Sequence, residues 1–228
     1  MKTPSPRQLT LDLPVEPRYG REDFLVSPSN MQAWSMFENW PGWPDRVLLL
    51  LGPTGAGKTH LAAIWAARTG ARVLGASALP LADLPGLVRS RAILIEDADS
   101  AKGVETEFFH LLNLVRNSTT YLVITARQWP DNWGVTTPDL LSRLRLAPAV
   151  EIGEPDDALV RAVLVKLFVD RQLVVDTSVV EYLALRIERS LDAARGVVEA
   201  LDREALAQGR AITRPIAAEV LRRMEGEA

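Results

Sequence analysis

The residues best suited to chemistry are Gly52, Pro53, Thr54, Gly55, Ala56, Gly57, Lys58 and Thr59, which follow one another in the spacing of a phosphate-gripping loop. Glycine permits a curl tight enough for successive backbone N–H groups to point inward at one anion. Lys58 can reach the β- and γ-phosphates of a nucleotide, and the Thr59 hydroxyl can bind Mg²⁺. His60 opens the segment behind the loop. A second group is Glu96-Asp97, two carboxylates directly after an apolar run, where a phosphate-binding protein places the acid that holds Mg²⁺. The residue nearest the run is Glu96 instead of the usual Asp, and its extra methylene moves the carboxylate by roughly 1.5 Å. That argues against efficient hydrolysis. A third group is Ser142-Arg143-Leu144-Arg145. Arg143 has two readings: a solvated helix residue, or a planar cation offered to the γ-phosphate of another subunit.

Placing these groups requires strands and helices in alternation. Val47–Leu51 is an unbroken apolar run ahead of the glycine loop, and residues 60–68 behind it read as helix, so the terminus of that helix faces the bound anion. Further apolar runs at Arg72–Ala76, Ala92–Glu96, Tyr121–Thr125 and Ala149–Ile152 predict a parallel sheet of five strands, covered on both sides. Ligands of such a sheet gather at the carboxyl ends of its strands. A helix is expected over about residues 29–40, with Trp34, Phe37 and Trp40 as core packing. Another is expected over Glu105–Arg116, with Phe108, Phe109, Leu112 and Val115 on one face. Pro138-Asp139 precedes the arginine pair, and Thr137 or Asp139 could cap a short helix that aims Arg143.

After Glu154-Pro155 the strand pattern gives way to helical periodicity. Helices are expected along Leu159–Leu167, from Thr177, from an N-cap at Ser190 to a stop at Gly209, and after Thr213. The chain thus divides into a tail (1–18), an α/β domain (19–154) and a small helical domain (155–228). The tail carries Pro4, Pro6, Pro14 and Pro17, which exclude a useful helix. Between them Gln8, Leu9, Thr10, Leu11, Asp12 and Leu13 alternate like a strand. This segment either pairs with its own domain's edge or docks extended on a partner, its leucines filling pockets.

Composition narrows the options further. An apolar content of 47% supports a sizeable core, and no run is long enough to span a membrane, so a cytoplasmic protein is expected. With no cysteine and only two histidines, disulfides and thiolate metal sites are excluded. A net charge of −3 opposes broad electrostatic attachment to DNA but leaves room for a local basic patch.

Phosphate loop, acidic strand, Ser-Arg between the last two strands and helical lid together resemble the AAA+ ATPases. Residues 23–30, 52–61, 94–97 and 139–144 resemble more closely the DnaA branch, the bacterial replication initiators. The resemblance covers about residues 20–225 and implies an AAA+ domain, an adenine nucleotide (ADP or ATP) with Mg²⁺ on Thr59, Glu96 and Asp97, and a base walled by Phe24 and Val26. It also implies a role for a lid-helix arginine, whose position aligns best with Asp192, Arg195 lying one turn along. DnaA proteins carry a further DNA-binding domain, for which the segment after Thr213 is too short. At the end of the fourth strand they place a polar sensor, commonly Asp, where this chain reads Thr125-Ala126-Arg127-Gln128.

The Gln8-to-Leu13 tail is similar to the hexapeptide that binds the DNA polymerase sliding clamp. A DnaA-like module with such a tail resembles the Hda-type regulators of replication initiation. That resemblance implies docking on the DNA-loaded clamp and, through Arg143, stimulation of ATP hydrolysis on DnaA, hence negative control of initiation. An autonomous AAA+ ATPase such as a helicase loader is the alternative, and a homo-oligomer fits either reading. A small-molecule kinase is disfavoured, since no acceptor site is evident.

Overall fold

Strand β1 (Val47–Leu51) is buried at every position, so its residues must be apolar on both faces, and it lies inside the sheet. The structure, a computed structural model, describes residues 19–100 and 102–226. The sheet is completed by β2 (Arg72–Gly75), β3 (Ala92–Glu96), β4 (Tyr121–Ala126) and β5 (Ala149–Glu151) in the order β2-β3-β4-β1-β5. Every pairing is parallel, as the alternation of strands and helices predicts. The carboxyl ends of β1, β3 and β4 therefore share one edge, which carries the glycine loop and the acids.

Two apolar layers flank this sheet. Leu48 and Leu50 face α1 (Met31–Glu38) and α2 (Lys58–Thr69), where Phe37, Trp40, Trp43 and Trp65 pack. Val47, Leu49 and Leu51 face the other layer, built with α3 (Leu84–Leu87), α4 (Glu105–Arg116) and α5 (Pro138–Leu146). Each large apolar side chain buried this way contributes about 1.5–3 kcal/mol. Helix α1 is shorter than the expected 29–40 because Asn30 is drawn into a turn. Its Oδ1 accepts from the Ser27 N–H at 2.9 Å, and its Nδ2 donates to the Leu25 carbonyl at 2.9 Å. On α4 the buried face is Phe108, Leu111, Leu112 and Val115, with Phe109 partly buried against the same core.

Residues 155–226 form a second unit with its own core. Helices α6 (Asp157–Asp170), α7 (Thr177–Ala184), α8 (Leu191–Gln208) and α9 (Arg214–Gly226) enclose Leu164, Phe168, Leu183, Val197 and Leu201. Local chemistry sets the helix ends. Asp156 caps α6 through the Leu159 N–H, and Asp176 caps α7 through the Ser178 N–H. Ser190 accepts from the Asp192 and Ala193 N–H groups, and Gly209 closes α8 in a left-handed conformation. Among the described residues no helix is long and apolar enough to cross a membrane.

Candidate nucleotide site

The glycine loop leaves β1 at Gly52, whose φ of +149° is one that side chains rarely adopt. A Cβ there would lie 2.3 Å from the Ile152 carbonyl oxygen, just beyond β5. Glycine is thus required both by conformation and by the close approach of a second strand's end. Gly57 precedes α2 at φ 103°, without a side-chain cap, and leaves the first-turn N–H groups of α2 to an anion. The Lys58 side chain is only 8% exposed and folds back over the loop. Its Nζ donates to the carbonyls of Gly52 at 2.8 Å and Pro53 at 2.9 Å, which holds the ammonium at the mouth of the loop.

Thr59 and Glu96 meet across the site. Burial and the neighbouring Asp97 carboxylate push the Glu96 carboxyl above its ordinary range, and a hydrogen bond from the Thr59 hydroxyl opposes them. One hydroxyl and one carboxylate converging beside a phosphate loop form the oxygen-rich pair that suits Mg²⁺, which takes few protein ligands. Asp97, with φ 55°, is exposed, and its N–H donates to Thr125 Oγ1 at 3.2 Å. Thr125 thereby ties the end of β4 to the end of β3, a role the sequence reading does not find. Arg127 is engaged locally, donating to Asp99 Oδ2 at 2.8 Å and Ser100 Oγ at 2.9 Å.

Upstream of α1, Phe24 is buried, stacked on Trp34 at 5.1 Å and edge-on to His60 at 5.3 Å. The His60 ring also bonds the Gly20 carbonyl at 3.0 Å. Val26 is 47% exposed, in the segment that Asn30 pins. The segment 20–26 is thus fastened to the first turn of α2, beside the loop, through His60.

Arg143 lies on α5, half-buried, its guanidinium 4.7 Å above the Phe109 ring of α4. No carboxylate partner of Arg143 occurs among the described residues, whereas Arg145 is ion-paired to Asp131 and holds that carboxyl below its usual range. The expected capping of α5 is corrected: neither Thr137 nor Asp139 caps it with a side chain. Instead the Glu105 carboxylate accepts from the N–H and hydroxyl groups of Thr136 and Thr137, drawing the Thr137 side chain away from its own helix.

Asp192 and Arg195 lie in the helical unit, in the first turns of α8, joined by an ion pair at 3.5 Å. Gln8, Leu9, Leu11 and Leu13 lie outside the described residues.

No protein-family model matches the chain. Its sequence is 28% identical over 255 aligned positions to the chromosomal replication initiator protein DnaA of Thermomicrobium roseum, covering 99% of this chain and 52% of that protein. With DnaA of Lactobacillus delbrueckii subsp. bulgaricus it shares 24% identity, covering 90% and 51%. The chain thus spans about half the length of the curated relatives it matches. Among solved structures, domain III of the Thermotoga maritima replication initiation protein DnaA superposes with a TM-score of 0.76 at 22% identity, covering 92% of this chain and 98% of that one. AMPPCP-bound DnaA from Aquifex aeolicus gives 0.71 at 20%, covering 93% and 70%. The Thermotoga maritima RuvB branch-migration motor gives 0.70 at 18%, covering 90% and 72%. The chain is therefore similar in sequence to about half of DnaA and shares the fold of DnaA domain III.

Proposed function

We propose that this chain holds an adenine nucleotide in the Gly52–Thr59 loop and acts, in the manner of the Hda-type regulators, on ATP bound to DnaA. The observation that carries the reading is the condition of Arg143. Its guanidinium rests on Phe109 without a carboxylate, while the neighbouring Arg145 is ion-paired. A planar cation fixed by stacking keeps its in-plane N–H donors for a phosphate.

The nucleotide, ADP or ATP, would lay its phosphates along residues 53–59, with Phe24 and Val26 beside the base. AMPPCP in the related Aquifex aeolicus DnaA supports this choice. Lys58 would exchange its two carbonyl partners for phosphate oxygens, and the α2 terminus would add its dipole. Thr59, Glu96 and Asp97 would hold Mg²⁺, which when bound neutralises phosphate charge. The carboxylate nearest the loop being Glu96, this nucleotide is a structural ligand and the hydrolysed one belongs to the partner. There Arg143 would cancel charge building on the departing γ-phosphate, an effect worth ~10³–10⁵ in rate in GTPase cases. The Gln8–Leu13 tail would tether the protein to the sliding clamp as an extended peptide.

The test is single-turnover hydrolysis on ATP-loaded DnaA with DNA-loaded clamp saturating. Arg143→Ala should abolish the stimulation while nucleotide binding persists, and Arg143→Lys should fail nearly as badly because a point charge on a flexible stem lacks the fork. Wild-type stimulation by Arg143→Ala would overturn the reading. Brisk steady-state ATP hydrolysis by the isolated chain would favour the autonomous ATPase instead.

A further inference from the structure

The sheet edge opposite the nucleotide loop carries arginines that the functions above do not use. Arg46 immediately precedes β1 and Arg91 immediately precedes β3, on either side of β4. Their carbonyls accept the first N–H groups of β4, from Leu122 and Tyr121. Their side chains join an alternating array of cations and rings. Arg46 Cζ lies 5.5 Å from the Tyr121 ring, Tyr121 packs edge-on against Trp40 at 5.5 Å, and Arg91 Cζ lies 4.6 Å from the Trp40 ring. Arg68, in the last turn of α2, adds a third guanidinium at 5.6 Å from Trp40. Arg72 opens the adjacent edge strand, and Arg89 stands two residues before Arg91.

Arg68 shares Glu38 with Arg21. Arg46, Arg72, Arg89 and Arg91 have no carboxylate partner among the described residues. In a chain of net charge −3 this is a marked local excess of positive charge. The guanidinium of Arg91 rests over the Trp40 ring, and that of Arg46 is held by the Tyr121 ring and by its Nη1, which donates to the Thr119 carbonyl at 3.0 Å, so little side-chain entropy remains to be lost when their other donors take a ligand.

The kind of ligand follows from what the patch lacks. Trp40, Trp43 and Trp65 are buried beneath it, so no aromatic anchor stands proud, whereas a protein partner is ordinarily gripped around a buried apolar centre. Uncompensated planar forks over a filled core match phosphodiester oxygens, read by charge and geometry without regard to base sequence.

We propose that this edge, formed by Arg46, Arg72, Arg89 and Arg91, is a sequence-independent contact for the phosphate backbone of duplex DNA. It lies at the end of the sheet away from the nucleotide, so both sites can be filled together.

The test is fluorescence anisotropy of a labelled duplex of two helical turns, titrated with the full chain between about 50 and 200 mM salt. The logarithm of affinity should fall against the logarithm of salt with a slope of about −3 to −4, one phosphate per arginine. Arg72→Ala with Arg89→Ala, both exposed and unstacked, should reduce that slope by about 2 and leave melting temperature and nucleotide affinity unchanged. Arg46→Gln with Arg91→Gln should do the same. If that pair melts early, because the rings lose their cover, the Arg72 and Arg89 pair alone decides. No binding near 50 mM salt, or an unchanged slope in the Arg72 and Arg89 pair, would overturn the proposal. So would competition by poly-glutamate as effective as by unlabelled duplex, which would make the patch a carboxylate receptor. Lys58→Ala, which acts at the opposite edge, should leave the slope as it is.

Discussion

Glu105, the first residue of α4, accepts the Thr137 hydroxyl at 2.5 Å and the Thr137 N–H at 2.8 Å, fastening the helix that carries Arg143 to the helix that carries Phe109. The same carboxylate takes the Thr136 N–H at 2.9 Å. With Arg143 over the Phe109 ring, α4 and α5 are joined both at the start of the arginine's helix and at the arginine itself. The proposed action in trans depends on that joint, because a cation that must meet a phosphate has to be aimed beforehand.

These hydrogen bonds, led by the one from Thr137, hold the Glu105 carboxyl down to about 2. A carboxyl whose pKa is lower folded than unfolded adds stability above its unfolded value of 4.5, and this is lost as pH falls through the folded value. Wild type should therefore exceed Glu105→Gln in stability at neutral pH, and the difference should shrink between about pH 4.5 and 2. Denaturant titrations across that range check this. Hydrogen exchange at pH 7 should show the α5 amides exposed in the variant and the sheet amides unmoved.

If the loop holds a nucleotide as proposed, Lys58→Ala removes a charge-assisted contact to phosphate worth about 1.5–3 kcal/mol. Nucleotide affinity by calorimetry should fall about 10- to 150-fold. An unchanged affinity would remove the loop as the nucleotide site.

Gly52→Ala tests the loop's exit from β1. Its methyl would sit 2.3 Å from the Ile152 carbonyl, on a backbone already at φ +149°. A cost of about 1–3 kcal/mol, or a drop of about 2–12 °C in melting temperature, is expected. Gly70→Ala, whose methyl would meet nothing within 4 Å, incurs backbone strain alone and should lose less.

The tail is tested separately from the fold. Changing Gln8, Leu11 and Leu13 to Ala should abolish capture by immobilised sliding clamp, each leucine contributing about 1.5–3 kcal/mol of burial. The melting temperature should stay nearly constant. A loss of several degrees would mean that the segment belongs to the protein's own fold.

The parts of the candidate nucleotide site were legible in the sequence because they are contiguous. Gly52 to Thr59 and Glu96-Asp97 are short runs whose chemistry depends on neighbours in the chain, and β3 and α4 begin and end where their patterns do. Ser190 and Gly209 mark helix ends for the same reason, since a cap acts within its own turn. Tertiary structure alone decided the rest. Periodicity shows that a face is buried but not what covers it, so the placement of β4 between β3 and β1 came only with the fold. The Thr125 hydroxyl on the Asp97 N–H, Glu105 on Thr137 and Arg143 on Phe109 each join residues about 30 positions apart. Glycine loops and caps are short-range and readable, but a hydrogen bond or stacked cation between distant segments exists only after the sheet has brought their ends to one edge.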